Sequence, residues 1–276
     1  MQRETEILYK GAKPAKEILN PDCPAIYYST ACEVEDMDDY DFANGGGKYF
    51  YNRTAAPNRD MLAETVAYME NGEAGIITSS GMAAISTTLL SMLKKGDRIL
   101  ASGAVYGETI ELFNNMLANF GIHTDYADFT DIEAVRKAVR PETKIFYTEI
   151  ISNPLINVVD IDAVTALARE NGAMTVVDST FTTPFAIRPL DHGADIVIHS
   201  MTKFFGGHSD ITAGCIVASK KLIEKINSGF LLLGGCLDAN SSWLALRSIR
   251  TMQLRVEKQM NNADKLAKAL EADPRV

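Results

Sequence analysis

The 276-residue chain has little of several features that mark special protein classes. Its four cysteines form no C-x-x-C pair, which argues against both a disulfide scaffold and a zinc site. No apolar run approaches the roughly 20 residues that a membrane-spanning helix needs. Basic residues are also fewer than acidic ones, with 27 Lys and Arg and 36 Asp and Glu. The resulting net charge of −9 repels nucleic acids. We therefore predict a cytoplasmic globular protein without nucleic-acid or membrane partners.

Short apolar runs alternate with helical patterns through most of the chain. This alternation predicts a mostly parallel mixed sheet with helices covering both faces, which is an α/β fold. The seven predicted strands are Ala74–Thr78, Arg98–Ala101, His123–Ala127, Lys144–Glu149, Met174–Asp178, Asp195–His199 and Gly214–Ala218.

The composition divides the chain into three parts. Residues 1–60 are rich in Asp, Asn, Gly and Tyr and are predicted to form an extended N-terminal arm. Residues 61–240 hold the alternating pattern and are predicted to form the α/β domain, which begins with a helix capped by Asn58. Residues 241–276 are predicted to form one long helix.

Ligands of such sheets bind beyond the carboxyl ends of the strands, so the residues that follow each strand carry the most information. The first strand is followed by Ser79-Ser80-Gly81-Met82 and then a helical pattern. Small residues at a helix N-terminus leave backbone amides free and favour a phosphate group, although a serine there also serves as a simple cap.

Two further strand ends carry charged residues. Asp178 ends an apolar strand and is costly to bury unless it has a cationic partner, a helix amide or a salt bridge. Lys203 follows the sixth strand, and a desolvated lysine there would be a nucleophile toward carbonyls, whereas an exposed one would be ordinary. A phosphate cradle, an acid and a lysine together match the phosphate, ring nitrogen and aldehyde of pyridoxal 5'-phosphate (PLP).

Six short motifs occur in order along the chain: Tyr51-Asn52-Arg53, Ser79-Ser80-Gly81-Met82, Val105-Tyr106-Gly107, Glu149 with Asn153-Pro154, Val177-Asp178-Ser179-Thr180 and Ser200-Met201-Thr202-Lys203. This series resembles the Cys/Met-metabolism PLP-dependent enzymes, which include cystathionine γ-lyase, methionine γ-lyase and cystathionine γ-synthase. The resemblance implies a PLP-dependent transferase-like large domain of fold type I, with residues 61–240 binding PLP.

The same resemblance implies a role for individual residues. Lys203 resembles the Schiff-base lysine, Asp178 the acid beside the pyridine nitrogen, and Tyr106 the aromatic residue stacked on the ring; these three are the predicted catalytic residues. Tyr51 and Arg53 resemble a pair that reaches the active site of a neighbouring subunit, which implies a homo-oligomer (dimer or tetramer). The other predicted cofactor-binding residues are Gly81, Met82, Asn153, Ser200 and Thr202.

The implied activity is that of a PLP-dependent carbon–sulfur lyase acting on a small amino acid, by γ-elimination from cystathionine, methionine or homocysteine. A γ-replacement enzyme and a non-catalytic PLP-binding module are the alternatives. The chain departs from the pattern at Glu108, where relatives carry Gly or Cys, and an acid there is expected to alter substrate choice. It also ends before the smaller C-terminal domain that supplies the family's arginine for the substrate carboxylate, and neither Arg250 nor Arg255 is assigned that role.

Overall fold

A computed structural model of the chain describes residues 23–47 and 49–276, and it contains one seven-stranded sheet. The part of the predicted arm at residues 1–22 and Lys48 lie outside the described residues. The strands are β1 (Ala74–Thr78), β2 (Arg98–Ser102), β3 (His123–Ala127), β4 (Thr143–Glu149), β5 (Met174–Asp178), β6 (Ile196–Ser200) and β7 (Gly214–Ala218).

The strand order is β1-β7-β6-β5-β4-β2-β3. Strand β7 lies antiparallel between β1 and β6, and the other neighbouring strands are parallel. The predicted mostly parallel mixed sheet is confirmed. The strand predictions match to within one residue at each end, because buried apolar runs bounded by polar residues mark strands clearly.

Helices cover both faces of this sheet. The α-helices of the described residues are α1 (Met37–Asn44), α2 (Pro57–Met69), α3 (Gly81–Met92), α4 (Gly107–Glu111), α5 (Ile132–Ala138), α6 (Ile161–Glu170), α7 (Thr183–Ala186), α8 (Lys220–Leu233), α9 (Ala239–Ile249) and α10 (Met252–Glu271). Helices α3 and α8 share one apolar core with the sheet, while α2 and α9 pack in a second core on the other face. Within the described residues no helix is both long and apolar enough to cross a bilayer.

Two predictions of local structure are wrong. Asn58 does not cap α2, which begins at Pro57; its side chain instead donates to the carbonyl of Ala25 and accepts from the amide of Tyr27. The single long helix is two helices, α9 and α10, separated at residues 250–251. In the last turn of α9, the carbonyl of Ser248 accepts hydrogen bonds from the amide of Thr251 and from the Arg255 guanidinium, which replaces the pattern of a continuous helix.

Candidate active site

The ends of several strands surround one cleft at the carboxyl edge of the sheet. Seven of the ten predicted site residues line it, and three do not. The seven are Gly81, Met82, Tyr106, Asp178, Ser200, Thr202 and Lys203.

The N-terminus of α3 forms one end of the cleft. The Ser80 hydroxyl accepts a hydrogen bond from the amide of Ala83, while the amides of Gly81 and Met82, as the first two in the helix, have no partner within it. A β-carbon at Gly81 would lie 2.8 Å from that of Ser200, so only glycine fits beside this serine. Free amides, a positive helix end and the adjacent Ser200 hydroxyl suit a phosphate group.

Thr202 is fixed at the same end of the cleft. The amide of Ala213 donates to its hydroxyl at 3.1 Å, which ties the residue to the segment entering β7. On the other side of the turn, the hydroxyl of Thr78 donates to the carbonyl of Ser80 at 2.8 Å. These bonds hold the two polar segments in place around the helix end.

Asp178 lies buried at the end of β5, with 9% of its surface exposed. Its Oδ1 accepts from the amide of Thr180 at 3.0 Å and from the hydroxyl of Thr180 at 2.6 Å, and that hydroxyl accepts from the amide of Ser200. Burial raises the pKa of Asp178, and the bonds from Thr180 oppose this rise. A buried carboxyl group with one oxygen tied down is suited to bind a protonated ring nitrogen through the other.

Lys203 lines the cleft from the turn that follows β6, but its side chain is exposed. The expected desolvation of the lysine is therefore not present in the isolated chain, because the cleft opens to solvent on this side. The turn itself is well anchored: the amide of Gly207 donates to the carbonyl of Lys203 at 2.7 Å, and Arg255 donates to the carbonyl of Phe204 at 3.0 Å.

Tyr106 forms hydrogen bonds with two acids, Glu149 and Glu108. Its amide donates to Oε1 of Glu149 at 2.7 Å, while a hydrogen bond with Glu108 raises the pKa of its phenol. Burial and the nearby charge of Asp178 raise the pKa of Glu149 to about 7. The cleft therefore holds a carboxyl group, that of Glu149, which changes charge near neutral pH. Glu108 lies close enough to Tyr106 to raise the pKa of its phenol.

Three predicted site residues do not line the cleft. Arg53 lies over the ring of Tyr51 at 5.6 Å and donates to the carbonyl of Leu231, at the end of α8. Asn153 is exposed in the loop after β4, although its neighbour Ile151 lines the cleft. The assignments of these three residues stay predictions.

The sequence analysis assigned no role to several cleft residues: it named Glu149 and Thr180 only within motifs, and it missed Thr212. Glu149 ends β4 and Thr180 lies two residues beyond β5, so both follow the same strand-end rule that pointed to Asp178. Thr212 gives no such signal, because it precedes β7, and only the antiparallel direction of β7 brings it to this edge.

The donor set of the cleft fits PLP. It offers an amide-lined helix end, a buried carboxyl group and a primary amine, and the missing β-carbon of Gly81 leaves the cradle open. Within residues 23–47 and 49–276, no group of His, Cys, Asp and Glu is arranged to hold a metal ion.

Comparison with curated proteins finds close relatives in sulfur amino-acid metabolism. The chain is 42% identical to the cystathionine β-lyase MetC of Bacillus subtilis over 234 residues, which cover 83% of the chain and 59% of that protein. It is 39% identical to the cystathionine γ-synthase/O-acetylhomoserine (thiol)-lyase of the same species over 269 residues, covering 97% of the chain and 70% of that protein.

Solved structures agree with this relationship. A cystathionine γ-lyase from Lactobacillus plantarum, crystallised with L-serine, superposes with a TM-score of 0.85 at 35% identity, covering 91% of the chain and 64% of that structure. The chain thus spans less than two thirds of the length of this γ-lyase and of the Bacillus β-lyase.

The sequence profile described as "Cys/Met metabolism PLP-dependent enzyme" matches residues 4–276, almost the whole chain. The profile, the relatives and the superposed structure agree with the PLP-shaped donor set of the cleft. The chain belongs to the Cys/Met metabolism family of PLP-dependent enzymes.

Proposed function

We propose that the protein is a PLP-dependent carbon–sulfur lyase that acts on sulfur-containing amino acids, with γ-elimination as the leading reaction. The observation that carries the proposal is the convergence of the α3 N-terminus, Asp178 and Lys203 on one cleft. These groups arise from three separate strand ends, and a cofactor with a phosphate, a basic ring nitrogen and an aldehyde uses all of them.

Each group has a defined task in this proposal. When bound, PLP supplies an electron sink that lets an amino acid lose its α-proton and a carbon–sulfur bond break. The amides of Gly81 and Met82 and the hydroxyls of Ser200 and Thr202 bind the phosphate. The Asp178 carboxylate accepts a hydrogen bond from the ring nitrogen and stabilises its positive charge. The Lys203 amine anchors the cofactor and then carries protons, and Tyr106 packs against the ring.

The complete site is proposed to need a second copy of the chain. Tyr51 and Arg53 are exposed and do not line their own cleft, which supports their assignment to the phosphate of a neighbouring subunit in a homodimer or homotetramer. Asn153 is assigned to the ring hydroxyl. We retain residues 1–60 as the contact arm, 61–240 as the PLP-binding domain and 241–276 as the helical connection. The four free cysteines suit a reducing compartment such as the cytoplasm.

The reactions differ in their products. γ-Elimination from cystathionine gives cysteine, ammonia and 2-oxobutyrate, whereas β-elimination gives homocysteine, ammonia and pyruvate. γ-Replacement on O-acetylhomoserine with a thiol releases acetate and forms a thioether. The match to a γ-synthase/thiol-lyase over 97% of the chain supports replacement as the second candidate.

The test is to incubate the PLP-loaded chain separately with cystathionine, methionine, homocysteine and O-acetylhomoserine plus a thiol. We expect 2-oxobutyrate as the main oxo acid. If cystathionine gave only pyruvate as the oxo acid, the reaction would be β-elimination and the proposed γ-elimination would be wrong. If the only product were a thioether from O-acetylhomoserine and the thiol, γ-replacement would be favoured. A chain that retains PLP but turns over none of these substrates would favour the non-catalytic module.

A further inference from the structure

Glu149, the last residue of β4, joins two parts of the cleft that are distant in the sequence. Its Oε1 accepts a hydrogen bond of 2.7 Å from the backbone amide of Tyr106, which lies 43 positions earlier in the chain. Glu149 is 7% exposed, and both residues line the cleft. The proposed chemistry uses Tyr106 and gives Glu149 no task.

The acceptor of this bond stands on a central, buried strand. Strand β4 lies between β2 and β5, so its end lies beside the loop that follows β2. Glu149 pairs in register with Asp178 of β5, and register partners of parallel strands direct their side chains to the same face of a sheet. The last five residues of β4 are all buried. The sheet therefore fixes the position of the Glu149 carboxyl group.

The donor of the bond is held less firmly by its own segment. Tyr106 precedes α4, a helix of five residues, and 43% of its surface is exposed. Its carbonyl accepts from the amides of Thr109 and Ile110, which ties it to that short helix. The bond from its amide to Glu149 differs from these, because it ties the residue to the sheet.

The other oxygen of Glu149 is free to carry a proton. Oε2 is buried and has no hydrogen-bond partner among the described residues. Burial and the charge of Asp178 raise the pKa of Glu149 to about 7, against the effect of the backbone amides of Tyr106 and Asn153. With a proton on Oε2, Oε1 still accepts from the amide of Tyr106. The bond therefore needs an acceptor oxygen and does not need a charge.

We propose that Glu149 is a positioning residue, whose carboxyl group holds the backbone at Tyr106 so that the ring of this tyrosine packs against the cofactor. Glu149 acts on the cofactor through Tyr106. This inference rests on the proposed function, since it requires that Tyr106 packs against PLP.

The test compares the PLP affinity of the wild-type chain with that of Glu149→Met and Glu149→Gln at pH 6, where Glu149 is largely protonated. Both replacements have nearly the length of glutamate, but only glutamine offers an oxygen acceptor. We expect Glu149→Met to weaken PLP binding about five- to tenfold, the range for one aromatic stacking contact. Glu149→Gln should bind PLP as the wild type does.

Visible circular dichroism of the bound cofactor is a second readout, because it reports the groups that surround the PLP ring. At saturating PLP, we expect Glu149→Met to change this signal, since the ring loses an aromatic neighbour in a fixed position. Glu149→Gln should keep the wild-type signal.

Asp195→Leu is the matched control. Oδ2 of Asp195 accepts from the backbone amide of Thr175, also at 2.7 Å, but this bond joins the amino ends of β5 and β6, at the opposite edge of the sheet from the cleft. We expect urea unfolding to show a loss of stability in this variant. Its PLP affinity and circular dichroism should equal those of the wild type, because the bond positions no cleft residue.

A double substitution shows whether Glu149 acts through Tyr106. In a Tyr106→Ala background, Glu149→Met should cause no further loss of PLP affinity, because the ring that the bond positions is gone. Equal losses in both backgrounds, an unchanged affinity in Glu149→Met, or an equal loss in Glu149→Gln would overturn the proposal. It also fails if Glu149→Met does not fold, since the bond is then structural. If the wild-type chain itself does not bind PLP, the proposed function fails instead.

Discussion

The cleft at the strand ends and the arm that carries Tyr51 and Arg53 are assigned to the same cofactor, but only the cleft residues meet in a single copy of the chain. The cleft residues come from separate strands and meet within one chain. Tyr51 and Arg53 contact each other, Arg53 bonds to the end of α8, and neither residue lines the cleft. One chain therefore brings the cleft residues together by its own sheet topology, whereas the role proposed for Tyr51 and Arg53 requires a second copy of the chain.

The largest expected effect on cofactor binding and turnover comes from substituting Lys203. Lys203→Ala should abolish the yellow absorbance of the lysine-linked cofactor and reduce turnover by at least about a thousandfold, since the residue both anchors the cofactor and carries protons. Absorbance after dialysis and release of oxo acid measure the two effects. Lys221→Ala, an exposed lysine in α8, is the control and should behave as wild type. If the Lys203→Ala variant kept the yellow absorbance after dialysis, the cofactor would be linked to a different residue.

Asp178→Asn should weaken PLP binding by about 10- to 100-fold, the usual cost of losing a charge-assisted hydrogen bond. The apoprotein should be no less stable than wild type, because burial disfavours the charged carboxylate and asparagine can still accept the bonds from Thr180. Fluorescence titration with PLP and urea unfolding check the two statements. An unchanged PLP affinity would show that Asp178 does not bind the ring nitrogen.

Glu149→Gln should change how stability depends on pH. Because burial and Asp178 raise the pKa of Glu149 from 4.5 to about 7, the folded chain holds this proton more tightly than the unfolded chain. Its contribution to the free energy of unfolding is therefore greatest at low pH and is lost as the pH rises through this range.

Replacing Glu149 by neutral glutamine should make the apoprotein more stable at pH 8, relative to pH 5, by roughly 1–3 kcal/mol compared with wild type. Urea unfolding at the two pH values measures the difference. The exposed Glu224→Gln is the control and should leave the pH dependence unchanged. A pH dependence that is the same in wild type and Glu149→Gln would show that Glu149 titrates normally.

The smallest effect is expected at the arm. Arg53→Ala should weaken PLP retention several-fold, the range for a charged hydrogen bond that is partly exposed, and the loss should vanish at protein concentrations where wild type is monomeric. Dialysis retention and sedimentation velocity check this together. Arg136→Ala, which removes an exposed arginine paired with Glu133 and Glu170, should have no effect on retention. A loss that does not depend on assembly would assign Arg53 to its own chain.

The sequence predicts the strands and the residues at their ends well, because both follow local rules of apolar patterning and sheet direction. It does not predict contacts set by distant packing. Asn58 has the character of a cap, yet its side chain bonds to Ala25 and Tyr27. The break between α9 and α10 involves an arginine that bonds to the Lys203 turn. The side chains of Glu70 and His199, which are buried and hydrogen-bonded to each other, look ordinary in their own segments.

The most direct test of the central claim is borohydride reduction of the PLP-treated chain, followed by intact-mass measurement and peptide mapping. The claim predicts one phosphopyridoxyl group per chain, carried by the peptide that contains Lys203. No added mass, or the group on a different lysine, would contradict it.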